Sequence, residues 1–230
     1  MSGASLFQRI VDAYGLVLVL VLTTFVVTAT LSPEGWAGRI LALAVAGVTA
    51  IVAFTSSDVR RERVRLAVGV ALIAIVVAVL ARVTSSQFLI GIAFVIIAGL
   101  LVVAAATVLQ RVVFATEVDF RTILGAVSVY TLIGLLFGYL YIALGHFAAG
   151  DVFAGVSDAQ AQDYLFFSYT TLTSTGYGNL VPDGQIGEIL AVFEMLSGQI
   201  FLVTLVAGLV SLWRPGSRVA GARRRDRDNG

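Results

Sequence analysis

Residues 169–179 read Tyr-Thr-Thr-Leu-Thr-Ser-Thr-Gly-Tyr-Gly-Asn, a hydroxyl-rich, glycine-bearing stretch set between two of the most apolar runs in the chain. The backbone carbonyls of Ser174, Thr175, Gly176 and Tyr177 can face one axis if Gly176 and Gly178 supply dihedrals that other residues avoid. The chemistry on offer is coordination of a cation by neutral oxygens. One chain provides one arc of oxygens, whereas replacing a hydration shell takes a ring. The pattern therefore calls for several copies around a closed symmetry axis.

The elements that hold this stretch must be membrane helices, because 59% of residues are hydrophobic and mean hydropathy is +0.98. Runs near the roughly 20 residues needed to cross a bilayer predict spans at 14–31, 39–55, 66–82, 87–109, 121–145 and 186–212. The expected fold class is an all-α membrane protein with six transmembrane helices and a re-entrant element between spans five and six. Ser157 followed by Gln160 resembles a capping box, predicting a short helix over about 158–173 that cannot cross the bilayer. Irregular backbone after such a helix is tolerated at membrane depth only where protein or water surrounds it. The helix's carbonyl end, pointed inward, favours a cation near the bilayer centre.

Every basic side chain is arginine. With a cytoplasmic N-terminus, all but Arg39 and Arg82 fall inside, which is the positive-inside pattern and supports an even number of crossings. The expected location is the cell membrane, multi-pass, with both termini cytoplasmic. The first span, preceded by Arg9, exceeds the apolar length of a signal peptide and reads as an uncleaved anchor.

The absence of cysteine excludes disulfides, zinc-thiolate sites and thiol nucleophiles. The one histidine, His146, falls at the end of span five with no partner legible in the sequence. No span carries a nucleophile with its base, or paired aspartates, so the chain does not read as an enzyme. No cofactor and no nucleic-acid partner are implied. The lipid bilayer is the expected surrounding partner, and the arginine-rich tail reads as a solvated flank of the last span. Outside the membrane, Asp151, Asp158, Asp163 and Asp183 lie around the candidate stretch and could concentrate cations there.

The run Thr173-Ser174-Thr175-Gly176-Tyr177-Gly178-Asn179 resembles the selectivity filter of potassium channels, usually Thr-Thr-aliphatic-Gly-Tyr-Gly-Asp. Pro182 follows at that family's distance, and the run from Glu188 to Trp213 is similar to the inner helices of bacterial channels with this pore. The resemblance covers about 121–213 and implies a bacterial six-span potassium channel with a two-helix-plus-loop pore domain. It divides the chain into a four-helix transmembrane domain (1–109), a cytoplasmic linker helix (110–120), the pore domain (121–213) and a basic cytoplasmic tail (214–230). It implies a homotetramer, with the carbonyls of Thr175, Gly176 and Tyr177 and the carbonyl and hydroxyl of Ser174 holding dehydrated potassium ions, Gly178 completing the filter, and a gating hinge at Gly198.

Several positions depart from the family pattern. Ser174 lacks the threonine methyl, Thr175 puts a hydroxyl where an aliphatic group is usual, and Asn179 replaces an aspartate that braces the filter against the pore helix. Phe166 and Thr170 stand where some members have Trp and Glu, so Phe166, Thr170 and Asn179 become candidates for a weaker filter support. Span four has no charge, which argues against voltage sensing. Glu194, the only carboxylate deep in a span, is expected to face protein, either anchoring the pore helix through one of Ser168, Tyr169, Thr170 or Thr171 or standing as a neutral, protonated acid satisfied locally. A nonselective cation channel and a non-conducting membrane subunit are the competing readings.

Overall fold

The computed structural model describes residues 3–31, 35–57, 60–113, 120–148 and 150–212. Within them lie seven helices: α1 (Gly3–Leu31), α2 (Trp36–Ser56), α3 (Arg61–Thr84), α4 (Gln87–Val113), α5 (Phe120–Phe147), α6 (Ala161–Leu172) and α7 (Gln185–Leu212). Six are long and apolar enough to cross a membrane, and α6 is the short element between the fifth and sixth, as the fold class required. No strand occurs among the described residues. The two runs shortest in sequence become helices of 21 and 24 residues, because polar and arginine-bearing ends continue the turns beyond the apolar segment.

The boundaries of the linker and of the short helix differ from the sequence reading as well. Residues 110–113 of the expected linker helix continue α4, residue 120 opens α5, and 114–119 lie outside the described residues. The basic tail, 214–230, is outside them too. The short helix begins three residues later than expected: Gln160, not Ser157, is its N-cap, and the Gln160 backbone N–H donates to Asp163 Oδ2 at 2.8 Å. Asp163 also places negative charge in the first turn, where the helix dipole favours it.

Helices in lipid gain little from the hydrophobic effect and associate through close approach of small side chains. Ala46, Ala50 and Ala53 of α2, Ala71 and Ala74 of α3, and Ala93 and Ala98 of α4 are all buried accordingly. Hydroxyls add cross-ties: Thr24 meets Thr49 at 2.8 Å, and Thr28 meets the Tyr139 hydroxyl at 2.9 Å, fastening α1 to α2 and to α5. The widest helix contact is α4 on α5; α1 also packs on α5, while α2 packs against α1 and α4, and α3 against α2 and α4.

The inner side of α5 receives α6. Gly134 and Gly138, four residues apart, leave space that the Tyr169 ring and the Leu165 side chain fill; a Cβ at either would approach them to 2.7 and 2.6 Å. The Tyr169 hydroxyl then donates to the Thr131 carbonyl at 2.8 Å, and its ring meets Phe25 of α1 edge-on at 5.2 Å. The short helix is thereby held on two sides before α7 closes the third.

Candidate functional site

The last turn of α6 is the platform for the candidate stretch. Its free carbonyls are taken by the following backbone: Ser174 N–H donates to Thr171 O at 3.0 Å, while Thr175 and Gly176 N–H donate to Thr170 O at 2.8 and 3.2 Å. These bonds satisfy the helix end and turn the chain back along the axis of α6.

From there the backbone alternates. Ser174, Gly176 and Gly178 have φ of +56°, +52° and +77°, whereas Thr175 and Tyr177 between them keep negative φ. Alternating handedness turns successive carbonyls to the same side, where an extended strand would point them to opposite sides. The glycines carry two of the three left-handed positions, and Ser174 adopts the third although it has a side chain. Residues 173–179 are all exposed in the single chain, with Tyr177 at 70%.

Sequence reasoning named several supports, and the structure distributes them differently. Phe166 stacks on the Tyr177 ring at 5.7 Å and 22°, so support at this level is aromatic packing. Thr175 Oγ1 lies 2.8 Å from Thr173 Oγ1, which in turn donates to Tyr169 O at 2.7 Å, giving the unusual hydroxyl its partner. The Thr170 hydroxyl turns back to Phe167 O at 3.0 Å; its carbonyl, not its side chain, holds the loop. Asn179 is exposed, and its side chain makes no hydrogen bond to α6 among the described residues.

Behind the loop, Glu194 is fully buried in α7 and meets Ser168 Oγ at 2.5 Å, one of the four donors expected. Its other oxygen accepts from the Tyr141 hydroxyl at 2.9 Å, a contact the sequence reading missed because it searched only α6. Gly198 lies one turn further along an uninterrupted helix. A Cβ there would run into the Leu172 carbonyl oxygen and come within 3.0 Å of Leu172 Cδ1, so the structure gives this glycine a packing reason beside the expected hinge.

Two further residues were not anticipated. Gln199 Nε2 donates to Ser174 Oγ at 2.7 Å, reaching the inner end of the loop from α7. Phe153, buried at 0%, wedges between Tyr164 and Phe167 at ring distances of 5.3 and 5.0 Å, and its neighbours pair with the outgoing segment: Ala154 N–H donates to Val181 O and Asp183 N–H to Val152 O. Gln199 was legible as a polar residue in a span beside a glycine. Phe153, one apolar residue in a polar loop, carried no such signal. His146 finds its partner in Gln87, with Nδ1 and Oε1 2.9 Å apart.

Residues 129–214, the stretch holding this site, match a family profile described as ion channel. The chain is 37% identical over 60 residues to an inward rectifier potassium channel of Paramagnetospirillum magnetotacticum, covering 26% of this chain and 20% of that protein. It is 36% identical over 72 residues to two pore potassium channel b of Oryza sativa subsp. japonica, covering 30% of this chain and again 20% of the relative. The matched segment thus spans about a fifth of either relative, and no solved structure matches. The profile match begins within α5 and stops short of the first four helices.

Proposed function

We propose that this chain is a subunit of a potassium-selective channel in the cell membrane, in which four copies bring residues 174–178 together as the conducting filter. The observation that carries the reading is the alternation of φ signs from Ser174 to Gly178, which aligns carbonyls into one arc per chain. Carbonyls of Thr175, Gly176 and Tyr177, with the carbonyl and hydroxyl of Ser174, then hold the ion in place of its water shell, in the manner known for potassium-channel filters. The C-terminal half acts as the pore domain. The first four helices form a separate membrane domain without a voltage sensor, since the 87–109 stretch of α4 carries no charge. Both termini lie in the cytoplasm on the arginine distribution.

Support for the fourfold assembly comes from α7, whose Ile186, Phe193, Ile200 and Val203 are each more than 60% exposed beside the open arc. A nonselective cation pore of the same architecture is the second reading, and the unbraced Asn179 favours it. The test is purified protein, its subunit number measured by native mass spectrometry, reconstituted in liposomes under a potassium gradient. Passive potassium flux from a tetramer supports the proposal, and a tetramer passing no ion overturns it in favour of a non-conducting subunit.

A further inference from the structure

Glu194 is the one buried carboxyl among the described residues, with 0% of its surface exposed. Three short oxygen–oxygen contacts meet around it. Ser168 Oγ lies 2.5 Å from Glu194 Oε1 and 2.7 Å from the Gly134 carbonyl oxygen, and the Tyr141 hydroxyl lies 2.9 Å from Oε2. Each contact needs a hydrogen between its oxygens.

A serine hydroxyl carries one hydrogen, and a backbone carbonyl carries none. The Gly134 carbonyl can only accept, so the Ser168 hydrogen belongs to that bond. The Tyr141 hydrogen serves Oε2. Nothing remains for the 2.5 Å contact unless the carboxyl supplies it. Neighbouring phenols cannot do so: the Tyr169 hydroxyl is committed to Thr131 O at 2.8 Å and the Tyr130 hydroxyl to Leu172 O at 3.1 Å. No arginine or histidine side chain of α5, α6 or α7 reaches the carboxyl among the described residues, so no cation compensates a charge there. A buried carboxylate without a counter-ion neutralises by taking a proton.

We propose that Glu194 is held as a neutral carboxylic acid that donates to Ser168 and accepts from Tyr141, clamping α7 to α6 and α5 directly behind the candidate filter. The hydrogen count then closes: Oε1–H to Ser168 Oγ, Ser168 Oγ–H to Gly134 O, and Tyr141 O–H to Oε2. Glu194 is a positioning residue, and neither it nor its partners touch the ion. The clamp stands on the geometry alone; only its effect on flux rests on the conduction proposed above.

Glutamine reproduces this arrangement, because its amide donates to Ser168 and its carbonyl accepts from Tyr141. Infrared difference spectra of the reconstituted protein at neutral pH, comparing wild type with Glu194→Gln and Tyr141→Phe, test the protonation state without requiring conduction. A protonated-carboxyl stretch that disappears in Glu194→Gln and moves to higher frequency in Tyr141→Phe is expected. If the band lost in Glu194→Gln is a carboxylate band, or if Tyr141→Phe leaves the acid band unmoved, the proposal is overturned. Glu194→Gln is expected to keep thermal stability and potassium flux within about twofold, whereas Glu194→Leu, which leaves the Tyr141 hydroxyl without its acceptor and Ser168 bonded to Gly134 alone, loses about tenfold or more of flux per assembled protein. Where Glu194→Leu does not assemble, the two infrared variants still decide. A stable Glu194→Leu with wild-type flux removes the positioning role.

Discussion

Gly198→Ala separates a packing glycine from a hinge. The added Cβ would meet the Leu172 carbonyl oxygen, lie 3.0 Å from Leu172 Cδ1 and 3.3 Å from its carbonyl carbon. Comfortable carbon contacts are about 3.5–4.0 Å, so α7 and the end of α6 must part by several tenths of an ångström. Leu172 is buried at 0% and its carbonyl already accepts from the Tyr130 hydroxyl, so neither side chain nor backbone can swing away freely. Overpacking of this kind costs about 1–3 kcal/mol per chain, or about 4–12 kcal/mol over the four copies of the proposed assembly if they strain independently. The displacement also draws Gln199 away from Ser174, the adjoining contact. Thermal dissociation of the assembled protein and potassium flux from liposomes are the assays, with Gly208→Ala as the same-helix control because a Cβ there meets nothing within 4 Å. Gly198→Ala is expected to lower both stability and flux, and Gly208→Ala to leave stability unchanged or raised by up to about 1 kcal/mol per chain. A Gly198→Ala protein with wild-type melting and altered opening kinetics would refute the packing argument and restore the hinge.

The other predictions follow from the loop and its supports. Gly176→Ala forces a side chain into φ +52°, at about 1–2 kcal/mol per chain, and since no atom crowds its Cβ within the subunit the expected result is loss of potassium flux with assembly retained; undiminished selective flux would contradict the arc of carbonyls. Gln199→Leu removes the donor to Ser174 Oγ and is expected to weaken block by an internal cation competing at that level, measured as a raised half-blocking concentration, and an unchanged value would show that the hydroxyl is held by other groups. Asp183, exposed at the outer mouth, is expected to raise conductance at low ionic strength only, since charge acts over about 10 Å at 0.1 M salt; Asp183→Asn with unaltered low-salt conductance removes that steering role.

Hydropathy made the six crossings legible, because bilayer thickness fixes helix length and lipid fixes composition. The re-entrant helix was legible for the same reason: a short amphipathic run followed by glycine and hydroxyl residues has nowhere else to sit at that depth. Its starting residue was not, since Ser157 matches the usual capping pattern and Gln160 does not, and only the fold makes Asp163 the reciprocal partner of Gln160. The alternation at Ser174, Gly176 and Gly178 was half visible, in the two glycines. Supports between elements were the least legible part. Tyr141 and Glu194 are 53 positions apart, and no local pattern in α5 indicates which tyrosine will face α7. Nor could the sequence tell that, among the described residues, the Asn179 side chain makes no hydrogen bond to α6, that Thr170 spends its hydroxyl on its own helix, or that Phe166 stacks on Tyr177.

The central claim, that four arcs of backbone oxygens select potassium, is tested most directly by the reversal potential of the reconstituted protein with potassium on one side and sodium on the other. Each tenfold preference for potassium moves that potential by about 59 mV. The account predicts a displacement well beyond one such step toward the potassium-selective limit, abolished with the current in Gly176→Ala. Current reversing near zero under the same gradient would contradict it.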